Sequence, residues 1–168
     1  AKEEKYASQK DEYQIQLAPK TVGEIRAESP EILTNTVVIH FFPNDWDLHK
    51  KVARQVNGKS FEELYDPNAD NVLEGVAKLV GQFGAGRVII EGHTDSSLRG
   101  QVPAEAVKEL ALNRANSVKQ ALVEKYSLAP ERLLVDGLGW DRPADADNAF
   151  DHAKNRRVEI KVYPAEKE

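Results

Sequence analysis

Three charged residues stand where the surrounding pattern calls for an apolar or a turn residue: Asp95, Arg114 and Arg156. Residues 103–126 hold a helical pattern. With Val118 at the centre of its apolar face, Val107, Ala111 and Leu122 fall within about 40° at 100° per residue, and so does Arg114. Such an arginine either lies along the core edge and lifts its head to water or is held for a partner. A buried charge left alone costs on the order of several kcal/mol. In the closing strand, 156–163, alternation puts Arg156, Val158, Ile160 and Val162 on a core face. Arg157, Glu159 and Lys161 take the other, a solvated and charge-paired face. Arg156 is then either a strand-end arginine reaching solvent or a second guanidinium turned to the core side. Asp95 follows the strand pattern 87–91, with its apolar run Val88-Ile89-Ile90, by way of Gly92-His93-Thr94. In open α/β sheets ligands collect beyond the carboxyl ends of strands, whereas the commoner use of an aspartate there is to cap a turn.

Other chemistry is weakly represented. His93-x-Asp95 with Asp151-His152 would offer ligands to a zinc hydrolase. Two ligands two residues apart are a weak motif, however, and no zinc-protease signature occurs. There is no Gly-x-Ser-x-Gly elbow. Gly137-Leu-Gly139 has Arg142 where a dinucleotide loop needs its third glycine. Asp141, Asp145, Asp147 and Asp151 lack the spacing and terminal glutamate of a calcium hand and read as a solvated loop. No enzyme, metal or cofactor is expected.

These residues must be positioned by a chain of 168 residues, enough for one full core or one domain plus an arm. The net charge of −5 and the absence of a basic stripe with interleaved aromatics argue against a nucleic-acid partner. No cysteine is present, which excludes disulfides, thiolate metal sites and a cysteine nucleophile. No run of 18 apolar residues spans a membrane. A chain that starts at Ala1 and has no methionine reads as a processed product or an excised piece of a larger protein.

Residues 1–35 read as an N-terminal arm or extension, charged over 1–12, with possible short strands at 13–18 and 24–27. From residue 36 a domain begins. The pattern predicts a buried strand at 37–42 and a long polar loop with one helical turn over 43–69. A helix follows over 71–83, with Val72, Val76, Leu79, Val80 and Phe83 inward and Asp70 or Asn71 as its cap. Further strands are predicted at 87–91, 133–136 and 156–163. The fold class is therefore α/β, a β-α-β-α-β-β sandwich with two main helices packed on one mixed four-stranded sheet.

Ile-Glu-Gly-His-Thr-Asp (90–95), Arg-Ala (114–115), Gly-Leu-Gly-Trp-Asp-Arg-Pro (137–143) and Asn-Arg-Arg-Val-Glu-Ile (155–160) occur in this order. Together they resemble the OmpA-like domain found at the C-terminus of OmpA and in Pal and MotB, over about residues 36–163. The resemblance implies non-covalent binding of peptidoglycan through the diaminopimelate of its stem peptide, in the periplasm or envelope of a Gram-negative-type bacterium. Carried over residue by residue, it implies a ligand site of Asp95, Arg114, Thr94 and Arg156. A carboxylate would take the ligand ammonium, and a guanidinium the ligand carboxylate through two parallel bonds. The sequence departs from the family at Val107 and Ala111, where an asparagine and a serine are usual. That departure keeps open a second reading, an interaction or assembly module that has lost the ligand. The segments 43–69 and 96–106 are longer than usual. A helix begun at Pro103 would place Arg114 roughly 16 Å from its start, so the helix proper is expected to begin near Val107. Arg-Gly-Gln-Val (99–102) and Gly-Trp-Asp-Arg-Pro-Ala-Asp (139–145) are similar to a subgroup in which this domain follows a periplasmic solute-binding-like domain.

Overall fold

The computed structural model describes residues 19–32, 37–82 and 86–164. The expected strand at 13–18 lies outside them. Helix α1 (Val22–Glu28) occupies the place of the strand expected at 24–27. Its start explains the difference. The Thr21 hydroxyl accepts from the Glu24 N–H and donates to the Glu24 carboxylate, the threonine-to-glutamate spacing that favours a helix start.

Strand β1 (Val37–His40) leads into a hairpin, β2 (Lys51–Val56) and β3 (Lys59–Leu64). The sequence pattern predicted a loop with a helical turn here. Asn57 and Gly58 both have positive φ, 53° and 77°, as a tight two-residue hairpin turn requires. The two strands form a sheet of their own and are exposed on nearly every residue, so they carry no inward/outward alternation.

Helix α2 (Ala69–Gln82) starts two residues before the predicted start at residue 71. Asp66 stands ahead of it and accepts from the N–H groups of Asn68 and His40, while Asp70 lies inside the first turn. Its buried face is Ala69, Leu73, Val76 and Val80; Val72 and Leu79 are half-buried, and Phe83 lies outside the described residues. Strand β4 (Arg87–His93) is buried along its whole length. Helix α3 (Ala104–Tyr126) begins right after Pro103, not near Val107. The helix does not start level with Asp95: residue 108 crosses β5 at Gly137 and residue 111 crosses β4 at Gly92, so the turn before them extends past the strand ends. Strand β5 (Leu133–Gly137), a four-residue helix α4 (His152–Asn155) and strand β6 (Arg157–Tyr163) complete the order.

The main sheet runs β1-β6-β4-β5, with β4 and β5 parallel and β6 antiparallel to both neighbours. Helices α2 and α3 cover one face around Leu73, Val76, Ile90, Val118, Leu122 and Ile160. On the opposite face Ile25 of α1 packs on Ile89, Leu134 and Tyr163. That face is not the solvated one expected from strand parity. Arg157 is buried against Glu159, and Glu91 is buried beneath Arg26 and Lys161.

Candidate functional site

The site forms where β4 and β6, antiparallel neighbours, bring the end of one beside the start of the other. Close helix packing fixes this end. A Cβ on Gly92 would come within 1.7 Å of the Ala111 carbonyl oxygen, and one on Gly137 within 2.7 Å of that of Lys108. Only glycine lets α3 settle this low. The loops after the two parallel strands are then laced together, Thr94 N–H to Gly139 O at 2.8 Å and Leu138 N–H to Gly92 O at 3.0 Å.

Arg114 is 1 % exposed. Its guanidinium donates to three backbone carbonyls: Asp45 at 2.9 Å, His93 at 2.9 Å and Phe42 at 3.3 Å. It also lies 5.6 Å from the centre of the Phe41 ring. Burial first, then the charge of Arg156, pull its pKa down to about 10, against the pull of Asp95 and Asp45. It remains a cation at neutral pH, with three of five N–H donors committed to the protein.

Arg156, at the entry to β6, is the residue that meets Asp95. Its Nη1 lies 3.2 Å from the Asp95 carboxylate, its Nε donates to the Phe41 carbonyl at 3.0 Å and its Nη2 to the Tyr65 hydroxyl at 3.0 Å. The other Asp95 oxygen accepts from the Ser97 N–H at 2.9 Å and hydroxyl at 2.5 Å. Burial works to raise the Asp95 pKa, but the Ser97 and Arg156 hydrogen bonds outweigh it and hold the carboxyl below its ordinary value. Thr94 is buried, and its hydroxyl has no hydrogen-bond partner among the described residues.

All four residues singled out in the sequence thus gather at one sheet end. Asp95 and Arg114 do not bond to each other; Arg156 joins Asp95, and Arg114 brackets the loop carbonyls beside them. Sequence reasoning missed Tyr65, Ser97 and Asp45. Tyr65 is delivered by the unforeseen hairpin, whose Asn57-Gly58 turn was the available signal. Val107 and Ala111 are both buried, Val107 against Gly139 and Ala111 against Gly92, so they serve helix docking.

The metal set weighed from the sequence does not converge. The His93 ring turns to the opposite face, where Nε2 lies 3.5 Å from Glu91 and 3.3 Å from Glu159. These three side chains bring ligand atoms within 4.8 Å of one another. Their carboxylates, however, are already balanced by Arg26, Arg157 and Lys161. In the acidic loop, Asp145 and Asp151 accept backbone N–H groups of the turns they open, and Asp141 pairs with Lys108 at 3.7 Å.

The model of the OmpA family matches residues 60–157. The chain belongs to the OmpA family. This family consists of structural and binding modules, not enzymes. Outer membrane protein Omp38 of Acinetobacter baumannii is 34% identical over 115 residues, 68% of this chain and 30% of that protein. Outer membrane porin F of Pseudomonas fluorescens is 40% identical over 103 residues, 60% of this chain and 30% of that protein. The chain therefore spans less than a third of these relatives. The peptidoglycan-associated lipoprotein of Burkholderia pseudomallei shares the OmpA-like fold with a TM-score of 0.53 at 19% identity, covering 74% of this chain and 88% of that one. The OmpA-like domain of FopA1 from Francisella tularensis does so with a TM-score of 0.50 at 18% identity, covering 83% and 97%. Both likenesses concern the fold: a mixed four-stranded sheet with helices.

Proposed function

We propose that this OmpA-family chain binds peptidoglycan without cutting it, through the diaminopimelate of the stem peptide, and so anchors an envelope protein to the cell wall. One observation carries the reading: the Asp95 carboxylate and two guanidiniums, Arg156 and Arg114, share one sheet end. Diaminopimelate offers the complementary pair, an ammonium for Asp95 and a carboxylate for the guanidiniums. Asp95 and Arg156 are already charged and ordered in each other's company, so the ligand exchanges partners with them at little reorganisation. Family membership, and likeness to proteins named for the outer membrane and for association with peptidoglycan, support an envelope location and this partner.

Co-sedimentation with purified sacculi tests the proposal. The wild type is expected to pellet with diaminopimelate-type walls, and Asp95→Ala to stay in solution with an unchanged circular dichroism spectrum. Arg114→Ala is the poorer probe, because that guanidinium also holds three loop carbonyls. Wild-type sedimentation by both Asp95→Ala and Arg156→Ala would sink the proposal. It would leave the second reading, an assembly module, which Val107 and Ala111 favour by standing where the family usually carries polar side chains.

A further inference from the structure

Two stretches far apart in the sequence, 99–102 and 139–145, meet beside the site. The Arg99 guanidinium lies over the Trp140 ring, 5.3 Å from its centre. With Thr94, Ser96, Asp141 and Phe150 they line a cleft of about 260 Å³ that does not include Asp95, Arg114 or Arg156.

Several features of this cleft point to an acidic occupant. Thr94 lines it, and the Thr94 hydroxyl is buried with no partner among the described residues, an arrangement that is costly until a ligand or water supplies one. Among the described residues, no carboxylate lies within 4.0 Å of the Arg99 guanidinium. It is held by the ring face instead, with its fork of N–H donors uncommitted to an acid. The acid of the cleft, Asp141, is balanced by Lys108. The turn that carries Arg99 is fixed from within: Arg99 N–H to Ser96 O at 3.1 Å, Val102 N–H to Leu98 O at 3.2 Å, and Gly100 at φ 86°. Phe150 stands at the rim, 77% exposed, an apolar side chain left in water where a ligand would cover it.

We propose that this cleft is a second subsite, which takes the free α-carboxylate of the γ-linked glutamate preceding diaminopimelate in the stem. Arg99 is its cation and the Thr94 hydroxyl its hydrogen-bond donor. The inference rests on the reading of Asp95 as the diaminopimelate site. Thr94 and Asp95 are consecutive, with Cα atoms about 3.8 Å apart, so neighbouring groups of one peptide reach both.

Calorimetric titration tests this with three probes: free diaminopimelate, the tripeptide L-Ala-γ-D-Glu-diaminopimelate, and the same tripeptide with the glutamate α-carboxylate amidated. The free-acid tripeptide is expected to bind about tenfold tighter than its amide, as for one exposed charge-assisted contact. Arg99→Gln should abolish that difference while leaving the affinity for free diaminopimelate unchanged, and Thr94→Val should reduce it. Equal affinity for acid and amide in the wild type, or a difference that survives Arg99→Gln, would overturn the second subsite and leave the first standing. Failure of all three probes to bind would overturn the anchoring reading itself.

Discussion

Arg156 and Asp95 meet at 3.2 Å with both side chains largely covered, and the same guanidinium holds the Phe41 carbonyl and the Tyr65 hydroxyl. One side chain thus ties together the exit of β1, the exit of the hairpin, the end of β4 and the entry to β6. In a double-mutant cycle read by urea unfolding, Asp95→Ala and Arg156→Ala should couple by about 1–2 kcal/mol. Arg156→Ala is expected to be the more destabilising of the two, because it also strands the Phe41 carbonyl. Additive effects would show that the pair is a surface contact without structural weight.

Arg114→Lys should destabilise by about 3 kcal/mol despite conserving charge. An ammonium cannot reach the Asp45, His93 and Phe42 carbonyls together as the planar fork does. Arg114→Met should be at least as damaging. The midpoint of urea denaturation checks both; near-wild-type stability of the lysine variant would show that charge alone is what the position needs.

Acid should unfold the protein earlier than an Asp or Glu on its surface would suggest. Burial would raise the Glu91 pKa, but the His93 ring beside it, Lys161 and Arg26 outweigh burial and bring it down to about 2 from 4.5. A folded pKa below the unfolded one means stability that is fully present above pH 4.5 and is lost as the pH falls towards 2, on the order of 3 kcal/mol in all. Asp95 works in the same direction. Glu91→Gln should lower stability at pH 7 and flatten the acid limb. A wild-type curve level between pH 5 and pH 2 would remove this account.

Gly92→Ala should prevent α3 from seating, since its Cβ would stand 1.7 Å from the Ala111 carbonyl oxygen. Soluble expression or near-ultraviolet circular dichroism reports this. Gly75→Ala, in the middle of α2 with nothing within 4 Å, should instead stabilise by about 0.5–1 kcal/mol.

The sheet and the two large helices were legible because their buried faces impose a period on the residues. The hairpin was not, because strands exposed on both faces carry no period, and only the Asn57-Gly58 turn announced them. Helix α1 was hidden for a similar reason: one buried residue, Ile25, marks its face. Arg156 could be singled out from strand parity and Arg114 from helix phase. What these positions could not tell is which acceptor each guanidinium would reach. Arg114 ends on carbonyls contributed by residues 42, 45 and 93, a grouping that only the folded chain assembles. Strand parity also misjudged the Arg157 face, because it cannot foresee that an upstream helix returns to cover it.

The antiparallel pairing of β1 with β6 places Ile32, bonded to Val162, at one end of the sheet and Asp95 and Arg156 at the other. Force applied at Ile32 and at a ligand held at Asp95 would therefore pull from opposite ends of the sheet. Tension between them runs along β1, β6 and β4, and loads their rungs together in shear. An edge strand peeled from its neighbour gives up its rungs one after another; this arrangement spares the domain that weakness, so it should yield at far higher force when stretched between these two points than when stretched across the sheet.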